Sequence, residues 1–319
     1  MSMKKRILIA GGFGYLGGRV AQFLASQPEY EVVLGSRRQT ESPPWLPQAE
    51  VIQTRWESEA ELSNACNGID AVVQLSGMNA QDCAANPVAA LEVNAVATAR
   101  LLKVAVGKRV KRFIYVSTAH VYGSPLVGVI SEETRPVNLH PYATSHRAGE
   151  DVVLAAQQRG VIEGIVIRLS NGYGAPAHKD ANCWMLLIND LCRQAVVSGK
   201  LVLRSAGQQR RDFVTLTDAC RATAHLLSLP SAMLGNGMFN VGEGWTSTVY
   251  EVASLVADRC EDLLGYRPDI IQPDPEDGEI SQPLDYCIDR LRGTGFELQG
   301  NRNAEIDATL KFCRKVFSV

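Results

Sequence analysis

The sequence predicts an α/β protein with a doubly wound parallel sheet and a smaller C-terminal lobe. The first observation is an unbroken apolar run at residues 7–10, which is typical of a parallel strand covered on both faces. The second is that predicted strands and helices alternate from this run to residue 169. The third is the composition, since 319 residues that are 46% apolar and 21% charged suit one large or two modest globular domains.

A glycine-rich turn follows the first strand and leads into the first helix. Apolar residues at four-residue spacing predict this helix, and Pro28 ends it. Because glycines lack side chains, backbone N–H groups in such a turn can approach a pyrophosphate at the helix N-terminus. We therefore predict dinucleotide binding by Gly11, Gly14, Tyr15, Leu16 and Gly17. The alternative is a tight turn that needs a positive φ angle.

The residues after the second predicted strand, at 30–35, indicate which dinucleotide binds. Ser36, Arg37 and Arg38 follow this strand, where a dinucleotide fold meets the adenosine ribose. An acidic residue here would bond the 2′-hydroxyl of NAD, whereas a hydroxyl and two guanidinium groups suit the 2′-phosphate of NADP. We predict NADP as the cofactor, with NAD less favoured. The alternative is two solvated arginines on a loop.

The next segments continue the alternation of strands and helices. A proline-rich loop at 40–47 precedes strands at 51–54, 70–75, 112–116 and 164–169 and helices at 59–66, 87–106 and 142–159. The fourth strand ends in Leu75, Ser76 and Gly77, where small residues would let a cofactor lie close. Asn94 and Thr98 share one face of the long helix. This pattern predicts a Rossmann-type sheet that binds its ligand at the carboxyl ends of the strands.

Beyond residue 169 the alternation loosens. We predict a turn-rich loop at 171–176, helices at 184–197, 218–229 and 248–264, strands at 201–204 and 239–242, a tail rich in Pro, Asp and Glu at 268–283, and short helical segments at the end. Residues 1–169, with about 212–242, are assigned to an NAD(P)-binding domain. Residues 170–211 and 243–319 are assigned to a lobe that shapes the substrate pocket.

Composition and charge argue against several classes of function. The net charge of −2 disfavours nucleic acid or an anionic membrane as the main partner. No apolar run reaches the length of a membrane span or of a secretory signal. The eight cysteines include no Cys-x-x-Cys pair, which indicates reduced thiols and suggests no metal site. We therefore expect a soluble, cytoplasmic protein.

Taken in order, the motifs resemble those of the extended short-chain dehydrogenase/reductase family, the NAD(P)-dependent nucleotide-sugar epimerases, dehydratases and reductases. The matching motifs are the GxxGxxG turn, Asn94 with Thr98, Ser-Thr-x-x-Val-Tyr-Gly at 117–123, the helix of Tyr142, Arg168 with Asn171-Gly-Tyr-Gly, Arg211-Asp-Phe and Asn240-Val-Gly. They cover most of the chain. Any one could arise by chance, but their shared order points to this family.

The resemblance implies a catalytic pair. Tyr142 stands at the position of the general acid/base for hydride chemistry at a carbinol or ketone carbon, and Thr118 at that of the hydroxyl that shares the substrate oxygen. A tyrosine with a pKa near ~10 is a poor base at neutral pH, so a nearby cation must stabilise its phenolate. The alternatives are a buried phenol at a helix start and a hydroxyl that caps a strand end.

His146 departs from the family pattern, which has lysine at the fourth residue after the tyrosine. A helix keeps residues 142 and 146 on one face, so His146 is expected beside both Tyr142 and the cofactor. Histidine has a pKa near ~6.5 and a shorter reach than lysine, and burial would lower that pKa further. The outcomes are an enzyme with an altered pH profile, a slow enzyme or a non-catalytic binding protein. We expect a working oxidoreductase because Tyr142 and Thr118 are both present.

Other positions narrow the reaction that the resemblance implies. Ala119 and His120 stand where dehydratases of the family carry an acidic pair, so 4,6-dehydration is not expected. Arg211 matches the arginine that pairs with a substrate diphosphate, and Asn171 matches the asparagine beside it. Arg55 adds a cation near the expected 2′-phosphate. An acidic segment at 275–279 stands where the family usually has a further arginine.

These observations predict an NADP(H)-dependent oxidoreductase that reduces a keto group on a nucleotide-activated sugar. Reduction is favoured because an epimerase recycles its bound cofactor and gains nothing from the NADPH pool. The alternatives are a nucleotide-sugar epimerase that retains NAD(P) and a non-catalytic, cofactor-binding regulator or partner protein. The resemblance also implies a homodimer through the helices that contain Asn94 and Tyr142.

Overall fold

The computed structural model describes residues 4–274 and 281–317. The strands are β1 (Lys5–Ala10), β2 (Tyr30–Ser36), β3 (Glu50–Gln53), β4 (Ala71–Gln74), β5 (Arg112–Thr118), β6 (Gly128–Ile130), β7 (Glu163–Leu169), β8 (Asn171–Tyr173), β9 (Lys200–Val202), β10 (Arg210–Thr215), β11 (Met238–Val241), β12 (Trp245–Thr248), β13 (Asp269–Ile271) and β14 (Leu284–Tyr286). The helices are α1 (Tyr15–Ala25), α2 (Glu59–Ala65), α3 (Ala80–Ala85), α4 (Pro87–Leu91), α5 (Ala97–Gly107), α6 (Pro141–Gln158), α7 (Leu187–Ser198), α8 (Leu216–Ser228), α9 (Val249–Leu264), α10 (Asp289–Arg292) and α11 (Arg302–Phe317).

Seven strands form the central sheet in the order β3-β2-β1-β4-β5-β7-β11, and every neighbouring pair is parallel. The predicted doubly wound sheet is therefore confirmed. The chain runs outward from β1 in both directions, and Ile9 lies opposite Leu34 of β2 on one side and Val73 of β4 on the other. The point between β1 and β4, where the order reverses, is where such sheets bind ligands.

Both faces of this sheet are covered, which explains the unbroken apolar run in β1. Ile7 and Ile9 belong to a core that includes residues of α1 and α8. Leu8 belongs to a second core on the other face, with residues of α2, α5 and α6. Successive strand residues point to opposite faces, so a strand buried on both sides shows no polar alternation.

The predicted helix at 87–106 is continuous but not regular. A π-helical turn, Glu92–Val96, joins α4 to α5, and the Ala97 N–H donates to the carbonyl of Glu92 five residues earlier. Asn94 lies within this turn and is fully buried. Such turns occur mostly as single insertions and often at functional sites.

The second half contains strands that the sequence did not reveal. The prediction of a loop at 171–176 is wrong for its first three residues, which form β8 and pair with β10 in the sheet β12-β10-β8. Within the tail at 268–283, which is rich in Pro, Asp and Glu, the structure also has β13, which pairs with β9. These strands are three residues long, too short to show a period, and their partners lie far away in the chain. The acidic segment at 275–279 lies outside the described residues.

The last helix, α11, is longer than the short segments predicted. It packs with α7 and α9 in a third core that includes Leu191, Val256 and Leu310. Among the described residues, no helix is both long and apolar enough to cross a membrane. The division into an NAD(P)-binding domain and a substrate lobe at the predicted boundaries stays a prediction.

Candidate active site

The glycine-rich turn brings three backbone segments into close contact. Gly11 has a φ of +84°, and a β-carbon there would stand 2.7 Å from the backbone nitrogen of Ser76. A β-carbon on Gly17 would stand 2.1 Å from the carbonyl oxygen of Gly11. Gly14 is the N-cap of α1 and supplies no side-chain hydrogen bond, so the first N–H groups of the helix, from Tyr15 onward, have no intrahelical partner. This cradle fits a pyrophosphate without a side chain in the way.

The end of β2 presents two guanidinium groups to solvent. The Ser36 hydroxyl donates to the carbonyl of Arg38 at 2.7 Å and accepts from the Arg38 N–H at 3.2 Å, which holds the turn. Arg37 and Arg38 are exposed, and neither makes an ion pair with a carboxylate within 4–274 and 281–317. Arg55, which was predicted to add a cation near the 2′-phosphate, pairs with Glu61, whose Oε1 lies 2.9 Å from its Nε.

The carboxyl ends of β4 and β5 and the start of α6 bring the predicted catalytic residues together. The rings of Tyr142 and His146 meet edge-on with centroids 4.6 Å apart. The Thr118 hydroxyl accepts from the His120 N–H at 3.1 Å, and its own proton is available for a second hydrogen bond on the Tyr142 side. Burial raises the pKa of Tyr142, while the neighbouring Thr118 hydroxyl acts in the opposite direction.

His146 is 6% exposed and carries no charge at neutral pH. Burial lowers its pKa to about 4. Its Nδ1 lies 2.9 Å from the hydroxyl of Tyr115. A β-carbon on Gly77 would stand 3.7 Å from His146 Nε2 and 3.4 Å from Asn94 Oδ1. Gly77 therefore lies directly against the imidazole and the Asn94 carboxamide.

Asn94 connects three segments of the site. Its Oδ1 accepts from the Met78 N–H at 2.8 Å, and its Nδ2 donates to Ser145 Oγ at 2.9 Å. Its backbone carbonyl accepts from the hydroxyls of Thr98 at 2.8 Å and Tyr115 at 3.2 Å. The carboxamide was predicted to bind the cofactor, and here its polar atoms bind protein groups. It fixes the loop after β4 against α6.

Two predicted substrate residues lie on the β8-β10 side of the cleft. Asn171 Nδ2 donates to the backbone carbonyl of Asp212 at 2.8 Å, which ties β8 to β10. Arg211 donates to Gln209 Oε1 at 3.1 Å and pairs with no carboxylate among the residues described. Burial lowers the pKa of His120, and the nearby charge of Arg211 lowers it further. Because no carboxylate among the described residues neutralises it, the Arg211 guanidinium suits an anionic ligand group.

Comparison with known proteins decides the family. A model of the NAD dependent epimerase/dehydratase family matches residues 7–242. The chain belongs to this family. That result confirms the resemblance to the extended short-chain dehydrogenases/reductases, and with it an enzyme family of nucleotide-sugar epimerases and dehydratases.

Individual relatives are distant but align over nearly the whole chain. A putative UDP-glucose 4-epimerase of Methanocaldococcus jannaschii is 25% identical over 280 residues, 86% of this chain and 87% of that protein. The structure of MoeE5 in complex with UDP-glucose and NAD has a TM-score of 0.78 at 24% identity and covers 98% of this chain and 100% of its own. The structure of RMD from Pseudomonas aeruginosa complexed with NADPH has a TM-score of 0.79 at 21% identity, with 98% and 99% covered. Structural neighbours thus bind NAD or NADPH.

Behind the site, this family member carries a buried ion pair that the motif analysis did not assign. Glu150 Oε2 lies 2.6 Å from Arg168 Nη2, and the Ser117 hydroxyl donates to Glu150 Oε1 at 2.5 Å. The Arg168 guanidinium stacks 4.6 Å above the ring of Tyr122. A signal for Glu150 was present, since residues 142, 146 and 150 share one helical face.

Tyr115 is a second residue that sequence reasoning missed. It is fully buried in β5 and contacts both Asn94 and His146. Gly149 could have pointed to it, because a glycine inside a helix is unfavourable and indicates close packing. A β-carbon on Gly149 would stand 2.7 Å from the Tyr115 hydroxyl.

Proposed function

We propose that this protein is an NADP(H)-dependent oxidoreductase that reduces a keto group on a nucleotide-activated sugar. The observation that carries the proposal is the meeting of Thr118, Tyr142 and His146 beside Gly77, after the carboxyl end of β4. An acid, a hydroxyl donor and a cofactor cleft at the carboxyl ends of parallel strands are what carbonyl reduction needs.

The residues that would hold the cofactor form three groups. The first turn of α1 would hold the pyrophosphate, with Gly11, Gly14, Tyr15, Leu16 and Gly17. The end of β4 would line its nicotinamide half, with Leu75, Ser76, Gly77, Asn94 and His146. Ser36, Arg37 and Arg38 would hold the 2′-phosphate, and two guanidinium groups that pair with no carboxylate among the described residues favour NADP over NAD. When bound, this cofactor supplies the hydride for the reaction.

Tyr142 would give its proton to the substrate oxygen, and the Thr118 hydroxyl beside it would orient that oxygen. The raised pKa of Tyr142 keeps the phenol protonated at neutral pH, as an acid requires. The neutral imidazole of His146 supplies no charge that would favour the phenolate. Both features keep Tyr142 in the protonated form from which carbonyl reduction starts.

The substrate class follows from the second half of the cleft. We propose that Arg211 pairs with the diphosphate of a nucleotide-sugar, with Asn171 beside it. Three apolar residues on the α4-α5 segment support a homodimer through this segment and α6, because they are 68%, 46% and 41% exposed: Val88, Leu91 and Val96. A cytoplasmic location stays part of the proposal, and sizing of the purified protein tests the dimer.

An epimerase is the second candidate, and one comparison favours it. The putative UDP-glucose 4-epimerase of M. jannaschii aligns over 86% of this chain. An epimerase would oxidise and then re-reduce one carbon with a retained cofactor, so it would make isomers without net NADPH consumption. A non-catalytic cofactor-binding protein would do neither.

The experiment follows binding and turnover in the purified protein. NADPH and NADH are titrated by fluorescence, and NADPH absorbance is then followed with a panel of keto-sugar nucleotides. We expect Tyr142→Phe to lower the rate by about 10²–10⁴-fold, while Tyr250→Phe, at a tyrosine 42% exposed on α9, leaves it unchanged. If the protein forms isomers without consuming NADPH, it is an epimerase and not a reductase. Cofactor binding with no turnover that depends on Tyr142 would make the protein non-catalytic.

A further inference from the structure

Tyr115 connects His146 to the backbone of Asn94 inside the protein. Its hydroxyl lies 2.9 Å from His146 Nδ1 and 3.2 Å from the Asn94 carbonyl oxygen. The residue is fully buried. The hydroxyl occupies the space left by Gly149, where a β-carbon would stand only 2.7 Å away. Helix α6 therefore has a glycine, with no side chain, at the position where the Tyr115 hydroxyl packs against it.

Counting donors and acceptors fixes the direction of these hydrogen bonds. A carbonyl oxygen only accepts, so the single Tyr115 proton must go to Asn94 if that contact is a hydrogen bond. The phenol oxygen can then only accept from His146, which requires a proton on Nδ1. In the reverse direction Tyr115 would donate to His146, and the Asn94 carbonyl would keep only the hydrogen bond from Thr98. A neutral imidazole with Nδ1–H is the only form that makes both hydrogen bonds and leaves Nε2 bare.

Burial keeps His146 in this neutral form. The titratable side chains beside its ring are Tyr115 on β5 and Tyr142 on α6, and Glu150 on α6 and Cys83 on α3 lie near these two phenols. Glu150 is engaged by Arg168 at 2.6 Å, so it provides no free carboxylate to charge the imidazole. Burial raises the pKa of Tyr115 well above its ordinary value, so its phenol remains protonated.

We propose that Tyr115 is a positioning residue that holds His146 as the Nδ1–H tautomer, so that Nε2 presents a lone pair to the cofactor cleft. Nε2 has no hydrogen-bond partner among the described residues and lies beside Gly77, 3.7 Å from the place of its absent β-carbon. A ligand hydroxyl, such as one of the cofactor ribose, could donate to it. A lysine at this position would offer charge and donors instead. The identity of the ligand rests on the proposed function, but the tautomer of His146 does not.

The tautomer can be measured without turnover, by ¹⁵N NMR of the five histidines in the intact protein. His146→Gln identifies the His146 signals by their loss. We expect a protonated Nδ1 and a bare Nε2 that do not change from pH ~5.5 to pH ~8. In Tyr115→Phe the signal should move toward the Nε2–H form. A wild-type Nε2–H tautomer, or a charged ring at neutral pH, would overturn the proposal even if the enzyme proved to be a reductase.

A functional measurement separates positioning from mere packing. We expect Tyr115→Phe to raise the KM for NADPH about three- to tenfold, the value of one hydrogen bond, with a smaller effect on kcat. Tyr173→Phe is the matched control, because that buried hydroxyl has no partner among the described residues. An equal change in both variants, or an unchanged tautomer in Tyr115→Phe, would contradict the assignment. If Tyr115→Phe does not fold, the ¹⁵N spectrum of the wild-type protein alone shows whether Nδ1 of His146 carries the proton.

Discussion

The imidazole of His146 meets the ring of Tyr142 edge-on, with centroids 4.6 Å apart and planes at 67°. The two residues are therefore close enough for a charge on one to change the pKa of the other. Because the pKa of His146 is about 4, the imidazole is neutral when Tyr142 must act. The neutral imidazole therefore distinguishes this site from one with a charged lysine at position 146.

A lysine at position 146 should restore a cation beside Tyr142. An opposite charge at this distance lowers a phenol pKa by about one to three pH units. We expect His146→Lys to move the pH dependence of alcohol oxidation toward lower pH by that amount. The measurement is kcat/KM against pH. Gln158→Lys adds the same charge at the exposed far end of α6 and should leave the profile in place.

His146 should also make the fold sensitive to acid. Its pKa is lower in the folded state than in the unfolded chain, so its stabilising contribution is present above pH ~6.5 and is lost as pH falls toward 4. A shift of this size corresponds to about 3 kcal/mol as an upper limit. Urea unfolding at both ends of this range should show a smaller acid loss in His146→Gln than in wild type.

Gly17→Ala should damage the cofactor cradle. The added β-carbon would stand 2.1 Å from the Gly11 carbonyl oxygen, so the turn must shift, at a cost of about 1–3 kcal/mol. We expect a lower melting temperature and a loss of NADPH affinity. Gly107→Ala is the control, because nothing lies within 4 Å of its added carbon at the end of α5. Equal behaviour of the two variants would exclude a special role for the turn.

The exposed guanidinium groups after β2 should decide cofactor preference. Removing both in Arg37→Ala/Arg38→Ala should weaken NADPH binding roughly 10- to 100-fold, the value of charge-assisted hydrogen bonds to a phosphate. NADH binding should change little, because it lacks that phosphate. Arg159→Ala, after α6 at the opposite edge of the sheet, is the control. A parallel loss for both cofactors would mean that these arginines do not read the 2′-phosphate.

Local pattern was sufficient for the parts of the fold that repeat. The apolar run of β1 and the alternation of strands and helices predicted the central parallel sheet, because burial on both faces requires that composition. The local pattern failed for β8 and β13. Each of these strands has only three residues, which show no period, and their partners β10 and β9 lie dozens of residues away in the chain. Strand pairing over such distances depends on the tertiary structure and not on local propensity.

The same distinction between local pattern and tertiary structure applies to the candidate site. The sequence by itself determined that Tyr142 and His146 share a helical face, and that glycines at three-residue spacing open a helix N-terminus, because helix geometry depends on spacing alone. Only the tertiary structure decided that Tyr115, on strand β5, reaches His146 on helix α6. It also decided that burial removes the charge of His146 and that Arg55 is paired with Glu61. Charge state and hydrogen-bond partners depend on which segments meet in space, and spacing along the chain does not contain that information.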